Sequence, residues 1–400
     1  MDLKQLVQSV ENEVIALRRH FHQHPEVSGE EFETSKTIQQ KLSEAGIPYQ
    51  TGFAKTGVLG IIKGEKPGGT VALRADIDAL PIQEENELPY KSSVPNKMHA
   101  CGHDAHTSML IGTGKVLNQL KPQIAGTILL VFQPAEENAP IGGSKQMMDD
   151  GVFEEFTPDV IFGQHVWPDL PAGEVGVLQN EIMGASDRFK ITVKGSGGHA
   201  SMPHQTNDAI IIANNLITQL QTIVSRNTDP IDSAVLTIGK IEGGYRYNVI
   251  ADVVTLEGTI RTFKPEVKEM VKSRFHSIIE GVGKSFDAHM SIDYLDGYPA
   301  TINSPEWADE VRSAAQKVLG ENATPTVSPS LGGEDFSRFL QKYPGAFYWL
   351  GTSVKDTEPQ YPLHDPRFKL NERALRKGVE VMVQLALDAL ERLEKEEPIR

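Results

Sequence analysis

The sequence predicts an α/β fold: a layered domain with a largely parallel sheet, interrupted by an inserted ferredoxin-like (βαββαβ) domain. Two observations carry this. Short, almost wholly apolar runs alternate with amphipathic helical stretches up to residue 182 and again beyond 299. That is the pattern of strands buried on both faces by crossover helices. Between 183 and 298 the order becomes strand, helix, two strands, helix, strand, which is the split βαββαβ unit. A length of 400 residues also exceeds what one core usually supports.

Leu3, Leu6, Val7, Val10, Val14, Leu17 and Phe21 keep helical spacing, so the chain opens on an amphipathic helix that Pro25 ends. A second helix covers Glu31 to Ala45, stopped by Gly46 and Pro48. Val58 to Ile62 and Val71 to Ala75 read as short buried strands. Ala105 to Leu120 reads as a helix and Thr127 to Phe132 as another strand, followed later by the apolar run Val160 to Gly163. In such sheets the site lies beyond the carboxyl ends of the strands, where Glu136 and Glu137 fall.

In the insert, Phe189 to Lys194 alternates as a strand and Asp208 to Arg226 is a long helix. Ala234 to Ile241 and Val249 to Thr262 are strands joined through Gly243-Gly244. Pro265 to Phe286 is a helix and His289 to Tyr294 the last strand. After Pro299, Pro305 to Leu319 is a helix, Ala346 to Leu350 a strand and Leu370 to Lys395 a long closing helix. The reading is therefore one discontinuous domain, 1–182 with 299–400, interrupted by 183–298.

Hydrophobic residues at 39% and 24 scattered prolines describe an ordinary globular chain. Acidic residues outnumber basic ones by 54 to 39, with no Lys/Arg block, which argues against nucleic acid or an anionic membrane as partner. The N-terminus lacks a charged-then-apolar signal pattern, and no apolar run approaches the ~18 residues of a membrane span. A single cysteine permits no intramolecular disulfide and fits a reducing cytoplasm.

That cysteine stands in the densest chemical stretch, His99-Ala100-Cys101-Gly102-His103-Asp104-Ala105-His106. In an extended segment residues i and i+2 project to one side, which would bring Cys101 and His103 together. Thiolate and imidazole are ligands for zinc and its first-row neighbours. The next apolar run ends in Gln133-Pro134-Ala135-Glu136-Glu137, and adjacent carboxylates can divide metal binding from proton movement. His165, after an apolar run, and His364, in Pro362-Leu363-His364-Asp365-Pro366, add to the set. Taken alone, either of these is as readily a satisfied core or surface histidine.

With these residues in view the chain resembles the M20 metallopeptidases, and most closely their amidohydrolase branch. The matching runs are Arg74 to Pro81, Met98 to His106, Phe132 to Glu137, Gln164 to Pro168, Gly197 to His204 and Leu363 to Asp365, in family order along nearly the whole chain. The resemblance implies that Cys101, His103, Glu137, His165 and His364 hold two divalent ions (Zn, Mn, Co or Ni), with Glu136 as general base. It makes Asp76 and Asp78 carboxylates that orient the ligands. Arg74 stands where the wider superfamily has its first histidine ligand, and Cys101 replaces a bridging aspartate. His199 is implied to reach an active site, often the partner subunit's, and to hydrogen-bond the oxyanion. Asn248 and Arg261 would hold the substrate carboxylate, and Gly332-Gly333 would line the pocket with backbone N–H groups.

The implied activity is metal-dependent hydrolysis of N-acyl amino acids, with small peptides or hippurate-type substrates as the alternative. The inserted domain would serve as lid and dimerisation domain in a homodimer or tetramer. A cysteine hydrolase using Cys101 leaves Glu136, Glu137 and several histidines without a role, and a metal-loaded binding protein has no need of Glu136. His20, His22 and His24 imitate a metal tract but read as the cap of an amphipathic helix. Gly112-Thr113-Gly114-Lys115 imitates a phosphate loop without its first glycine or a following Ser/Thr. Met147-Met148 reads as core packing, and no Gly-x-Ser-x-Gly elbow exists.

Overall fold

The computed structural model describes residues 3–356 and 358–396. In chain order the first part runs α1 (Leu3–Gln23), α2 (Phe32–Glu44), β1 (Tyr49–Phe53), β2 (Gly57–Lys63) and β3 (Lys66–Asp76). It continues through α3 (His103–Gln119), β4 (Ala125–Gln133), α4 (Gly143–Asp149), β5 (Val160–Trp167), β6 (Val175–Gly176) and β7 (Glu181–Met183). The middle part holds β8 (Ala185–Lys194), β9 (Gly198–His199), α5 (Ala209–Thr222), β10 (Ala234–Gly243), β11 (Val249–Ile250) and β12 (Val253–Thr262). It closes with α6 (Pro265–Ser285), β13 (His289–Tyr298) and β14 (Thr301–Ile302). The last part is α7 (Pro305–Leu319), α8 (Ser337–Leu340), β15 (Gly345–Gly351) and α9 (Arg373–Glu396).

The chain forms two compact units, one of Met1–Ile182, Ile302–Ser328 and Asp335–Arg400, the other of Met183–Thr301 and Pro329–Glu334. The first holds a seven-stranded sheet of order β1-β2-β4-β3-β5-β15-β6. Its centre is parallel, β4 with β3, β3 with β5 and β5 with β15. The flanking pairs are antiparallel. Almost every residue of β4 and β15 is buried, which is why those strands read as unbroken apolar runs. Helices α1, α3 and α9 pack on one another beside β3.

The glycines that imitate a phosphate loop sit inside α3. A Cβ on Gly112 would stand 2.5 Å from Val14 Cγ2 of α1, and one on Gly114 would stand 2.4 Å from Leu130 Cδ1 of β4. They permit close helix packing.

The second unit is a four-stranded antiparallel sheet of order β10-β12-β8-β13, packed against α5 and α6. Phe189, Ile191 and Val193 of β8 point to the helices, while Arg188, Lys190 and Lys194 are exposed, the period-two alternation of a half-buried strand. The fold class is that expected from sequence.

Details differ. The helix expected through Arg226 is α-helical only to Thr222 and continues as a π turn over Ile223–Asn227. The strand expected over Val249–Thr262 is two, because β11 pairs with β9 whereas β12 pairs with β10 and β8. Pro329–Glu334, assigned by sequence to the discontinuous domain, packs with the second unit. There Gly184 N–H bonds the carbonyls of Ser330 and Gly332. No helix among the described residues is long and apolar enough to cross a membrane.

Candidate metal centre

Three parallel neighbours deliver the site. Asp76 ends β3 and pairs in register with Gln133, which ends β4. Asp78, Glu136 and Glu137 follow within a few residues, and His165 lies near the end of β5. Parallel strands finish on one side of the sheet, so side chains from separate runs converge there. The Cys101–His103 segment is not extended as the spacing suggested. Gly102 adopts φ +84° and caps α3, whose first residue is His103. A Cβ at Gly102 would stand 2.3 Å from Val166 Cγ2, so glycine is required on both conformational and steric grounds.

Cys101 Sγ lies 3.5 Å from His165 Nε2 and 3.3 Å from His364 Nε2. His364 Nε2 is 3.1 Å from Glu137 Oε1. Potential ligand atoms of Cys101, Glu137 and His364 lie within 4.8 Å of one another, and so do those of His103, Glu136 and Glu137. Glu137 belongs to both groups. Two adjoining ligand sets that share a carboxylate fit two divalent ions.

The histidines are held so that one nitrogen faces the site. His165 Nδ1–H donates to the Val166 carbonyl at 2.7 Å, which leaves Nε2 bare. His103 Nδ1 meets Asp78 Oδ1 at 3.2 Å, and its buried Nε2 makes no hydrogen bond, with Asp76 Oδ2 3.5 Å away. A buried nitrogen so weakly partnered is costly unless a cation completes it. Asp78 Oδ2 also accepts from Ser28 Oγ at 2.6 Å and from the Glu137 amide at 3.0 Å. His364 has φ +67°, and its amide donates to the Ala100 carbonyl beside Cys101.

His106 is also close, grouped with Asp76, His103 and His165. Its Nδ1–H bonds Asp76 at 2.5 Å and its Nε2 accepts the Val166 amide. Both nitrogens are spent, so it is not available as a ligand.

The charge environment favours a cation among these groups. Burial, with Glu137 and Glu136 nearby, pushes the Cys101 thiol well up, a penalty that a bound cation would reverse. Burial works against a charged His103, yet Asp76, Asp78 and Glu137 carry it up to about 10. Burial and the neighbouring His106 hold His165 well below the ordinary imidazole range, hence neutral and able to ligate.

The supporting roles of several residues escaped the sequence reading. Glu31 is buried, accepts the Gly29 and Ala135 amides and the Thr56 hydroxyl, and so fixes the Pro134–Glu137 turn, where Ala135 has φ +56°. Arg74 donates to Gln133, Asp76 and Asp335 at 2.8, 2.8 and 3.0 Å in a wholly buried network. It braces the ends of β3 and β4. Asp335 in turn accepts the Ser144 amide. His22 is fully buried and is no helix cap, a correction that the Arg18, Asp104 and Glu84 side chains around it explain. Local spacing does not mark these residues, since their decisive partners, Ala135 for Glu31, Asp335 for Arg74 and Asp104 for His22, are distant in sequence.

The remaining candidates lie in the second unit. His199 is exposed on β9, and its Nδ1 accepts the Ser201 amide, which leaves the ring proton on Nε2. The backbone carbonyl of Asn248 accepts the Ala200 amide, next to the register pair Val249 and His199. Arg261 on β12 is half-buried, with Nη1 3.5 Å from the Leu331 carbonyl. A Cβ on Gly333 would stand 3.4 Å from that nitrogen. The Gly332 amide is already bonded to Ser330 Oγ, so it is not a free donor as expected.

An α/β domain whose strand ends gather a cysteine, imidazoles and paired carboxylates within ligand distance of one another has the makings of a metallohydrolase. A profile of peptidase family M20/M25/M40 matches residues 72–388, and the chain belongs to that family. It is 43% identical to the N-acetyl-L-cysteine deacetylase of Bacillus subtilis (strain 168) over 370 residues, 92% of this chain and 86% of that protein. It is 39% identical to thermostable carboxypeptidase 1 of Saccharolobus solfataricus over 388 residues, 96% and 97% of the two chains. Among solved structures it resembles the Bacillus subtilis YXEP protein, a dinuclear metal binding peptidase from the M20 family. That likeness has a TM-score of 0.84 at 36% identity, covering 96% of this chain and 99% of that one. The protein is a metal-dependent hydrolase of amides.

Proposed function

We propose that this enzyme cleaves the amide of N-acyl amino acids, N-acetyl amino acids foremost, to a carboxylate and a free amino acid. The observation that carries the reading is the pair of ligand sets sharing Glu137, with buried Glu136 in one of them. Cys101, His103, Glu137, His165 and His364 would hold the two ions. Bound divalent ions supply Lewis acidity and bring the pKa of associated water toward about 7. The thiolate favours Zn, Co or Ni and the carboxylates favour Mn.

Glu136 takes the proton of the attacking water on its carboxylate and returns it to the leaving nitrogen. Asp78 keeps His103 in one tautomer, and Asp76 does the same for His106. His199 offers Nε2–H to the oxyanion, a contribution typically worth about 3–4 kcal/mol. Arg261 and Asn248 hold the free carboxylate of the amino acid. One thiol and no disulfide suit a reducing cytoplasm.

A second reading, carboxypeptidase-like cleavage of small peptides, is favoured by the likeness to thermostable carboxypeptidase 1. Free amino acid released from a panel of N-acetyl, N-benzoyl and dipeptide substrates, with Mn²⁺, Zn²⁺, Co²⁺ or Ni²⁺ added, separates the two. N-acetyl substrates should lead and chelation should abolish turnover. Release from dipeptides alone would replace the first reading by the second, and turnover that survives chelation would sink both.

If His199 acts across a homodimer made through the inserted domain, mixing inactive Glu136→Gln and His199→Ala proteins restores activity in exchanged heterodimers. Subunit exchange without rescue would refute the trans arrangement.

A further inference from the structure

Of the three histidines at the end of α1, His20 and His24 are exposed and only His22 is fully buried. Its two ring nitrogens reach different parts of the first unit. Nδ1 lies 2.8 Å from Asp104 Oδ2 in the first turn of α3, next to His103. Nε2 lies 3.2 Å from Glu84 Oε1. Glu84 continues the connection, because Asn86 Nδ2 donates both to Glu84 Oε1 and to the Phe368 carbonyl, each at 3.1 Å. The Ser92 amide closes on Glu84 Oε2 at 2.6 Å, and the Glu85 amide bonds the Pro366 carbonyl.

Arg18, one turn earlier on α1, makes a parallel span. Its Nε meets Asp104 Oδ2 at 2.9 Å and its Nη1 meets Glu372 Oε1 at 3.4 Å. Residues i and i+4 share one helix face, so a single face of α1 ties the start of α3 to residues 366–372. Those residues follow His364 directly, and the start of α3 follows Cys101 directly.

We propose that His22 is a positioning residue: with Glu84 and Asn86 it clamps the His364 loop to the Cys101–Asp104 turn and so sets the spacing of the thiolate and imidazole that share one ion. The proposal rests on the reading of Cys101, Glu137 and His364 as one ligand set. The second set is affected less, because His103 has its own anchor in Asp78. Burial and Arg18 oppose a charge on His22, but its bonds to Asp104 and Glu84 raise its affinity for the proton. Each ring nitrogen faces a carboxylate oxygen, so each donates only when it carries a proton, as a two-ended clamp requires. The carboxylates at each end turn these into charge-assisted bonds.

The test uses full-length protein stripped with chelator and titrated with Co²⁺. The thiolate-to-cobalt absorption band reports the ion at Cys101 alone, and total bound cobalt reports both. His22→Ala should weaken the thiolate-bound ion by about tenfold to hundredfold, shift its band, and leave the other ion within about threefold. Activity should return at saturating metal. His20→Ala and His24→Ala should titrate as wild type. Asn86→Ala, which cuts only the far arm of the clamp, should weaken the same ion.

The proposal is overturned if folded His22→Ala and Asn86→Ala keep the wild-type affinity and band. Equal loss at both ions would overturn it too, since that is general loosening and not a clamp. So would failure of both metal-free variants to fold by circular dichroism, which would make the cluster a folding element. His364→Ala separates the premises: if it leaves the thiolate band and both affinities intact, the ligand set is wrong whatever His22 does.

Discussion

Replacing Gly102 with alanine tests how the centre is built. Gly102 sits at φ +84°, with its missing Cβ 2.3 Å from Val166 Cγ2. The left-handed conformation costs a non-glycine residue about 1–2 kcal/mol. Val166 is fully buried, so the overlap cannot vent to solvent, and overpacking of this kind costs about 1–3 kcal/mol more. Gly102→Ala should therefore destabilise the metal-free protein by about 2–5 kcal/mol. At about 2–4 °C per kcal/mol for a domain of this size, a fall in Tm of several degrees follows. The displacement also reaches the site, because the Val166 carbonyl holds His165 Nδ1 and its amide holds His106 Nε2. Metal content should drop with stability. A double-mutant cycle with Val166→Ala isolates the overlap: the pair should couple favourably by about 1–3 kcal/mol, leaving the backbone cost. A Gly102→Ala protein within about 0.5 kcal/mol of wild type, the spread of ordinary surface changes, with full metal content would refute the reasoning.

Glu136→Gln keeps shape and removes the proton acceptor, so turnover should collapse while metal content holds; Glu137→Gln should instead lower metal occupancy. Metal analysis beside a rate assay tells them apart, and equal metal loss in both would place Glu136 among the ligands. Cys101→Ser exchanges a soft thiolate for a hydroxyl that seldom ionises, so affinity should fall and preference should move toward harder ions such as Mn²⁺. Full activity with unchanged metal would remove Cys101 from the set. Burial raises the Asp104 carboxyl, but Arg18 and His22 hold it well below the usual range. A carboxyl depressed in the fold adds stability above its unfolded pKa of about 3.9 and loses it as pH falls through and below that value. Denaturant midpoints of metal-free Asp104→Asn and wild type should differ most near pH 6–7 and converge below pH 4, and a gap that does not change with pH would contradict this.

The elements were largely legible because their causes are local. Helical spacing of apolar residues set α1, and unbroken apolar runs set β4 and β15. Of the elements that went unread, most are short, and β1 is a half-exposed edge strand, Tyr49-Gln50-Thr51-Gly52-Phe53, with no apolar run to announce it. The earlier start of α3 was missed because Gly102 in the left-handed region turns a seemingly extended Cys-Gly-His into a helix cap.

At the centre, composition marked Cys101, His103, Glu136 and Glu137, and family resemblance added His165 and His364. Only the fold shows His364 reaching Cys101 across 263 positions, Glu31 reaching Ala135 across 104 and His22 reaching Asp104 across 82. Strand and helix follow from the period of nearby side chains, which a sequence displays. Which carboxylate steadies which histidine follows from where strand ends and helix faces meet in space, and no spacing along the chain encodes that.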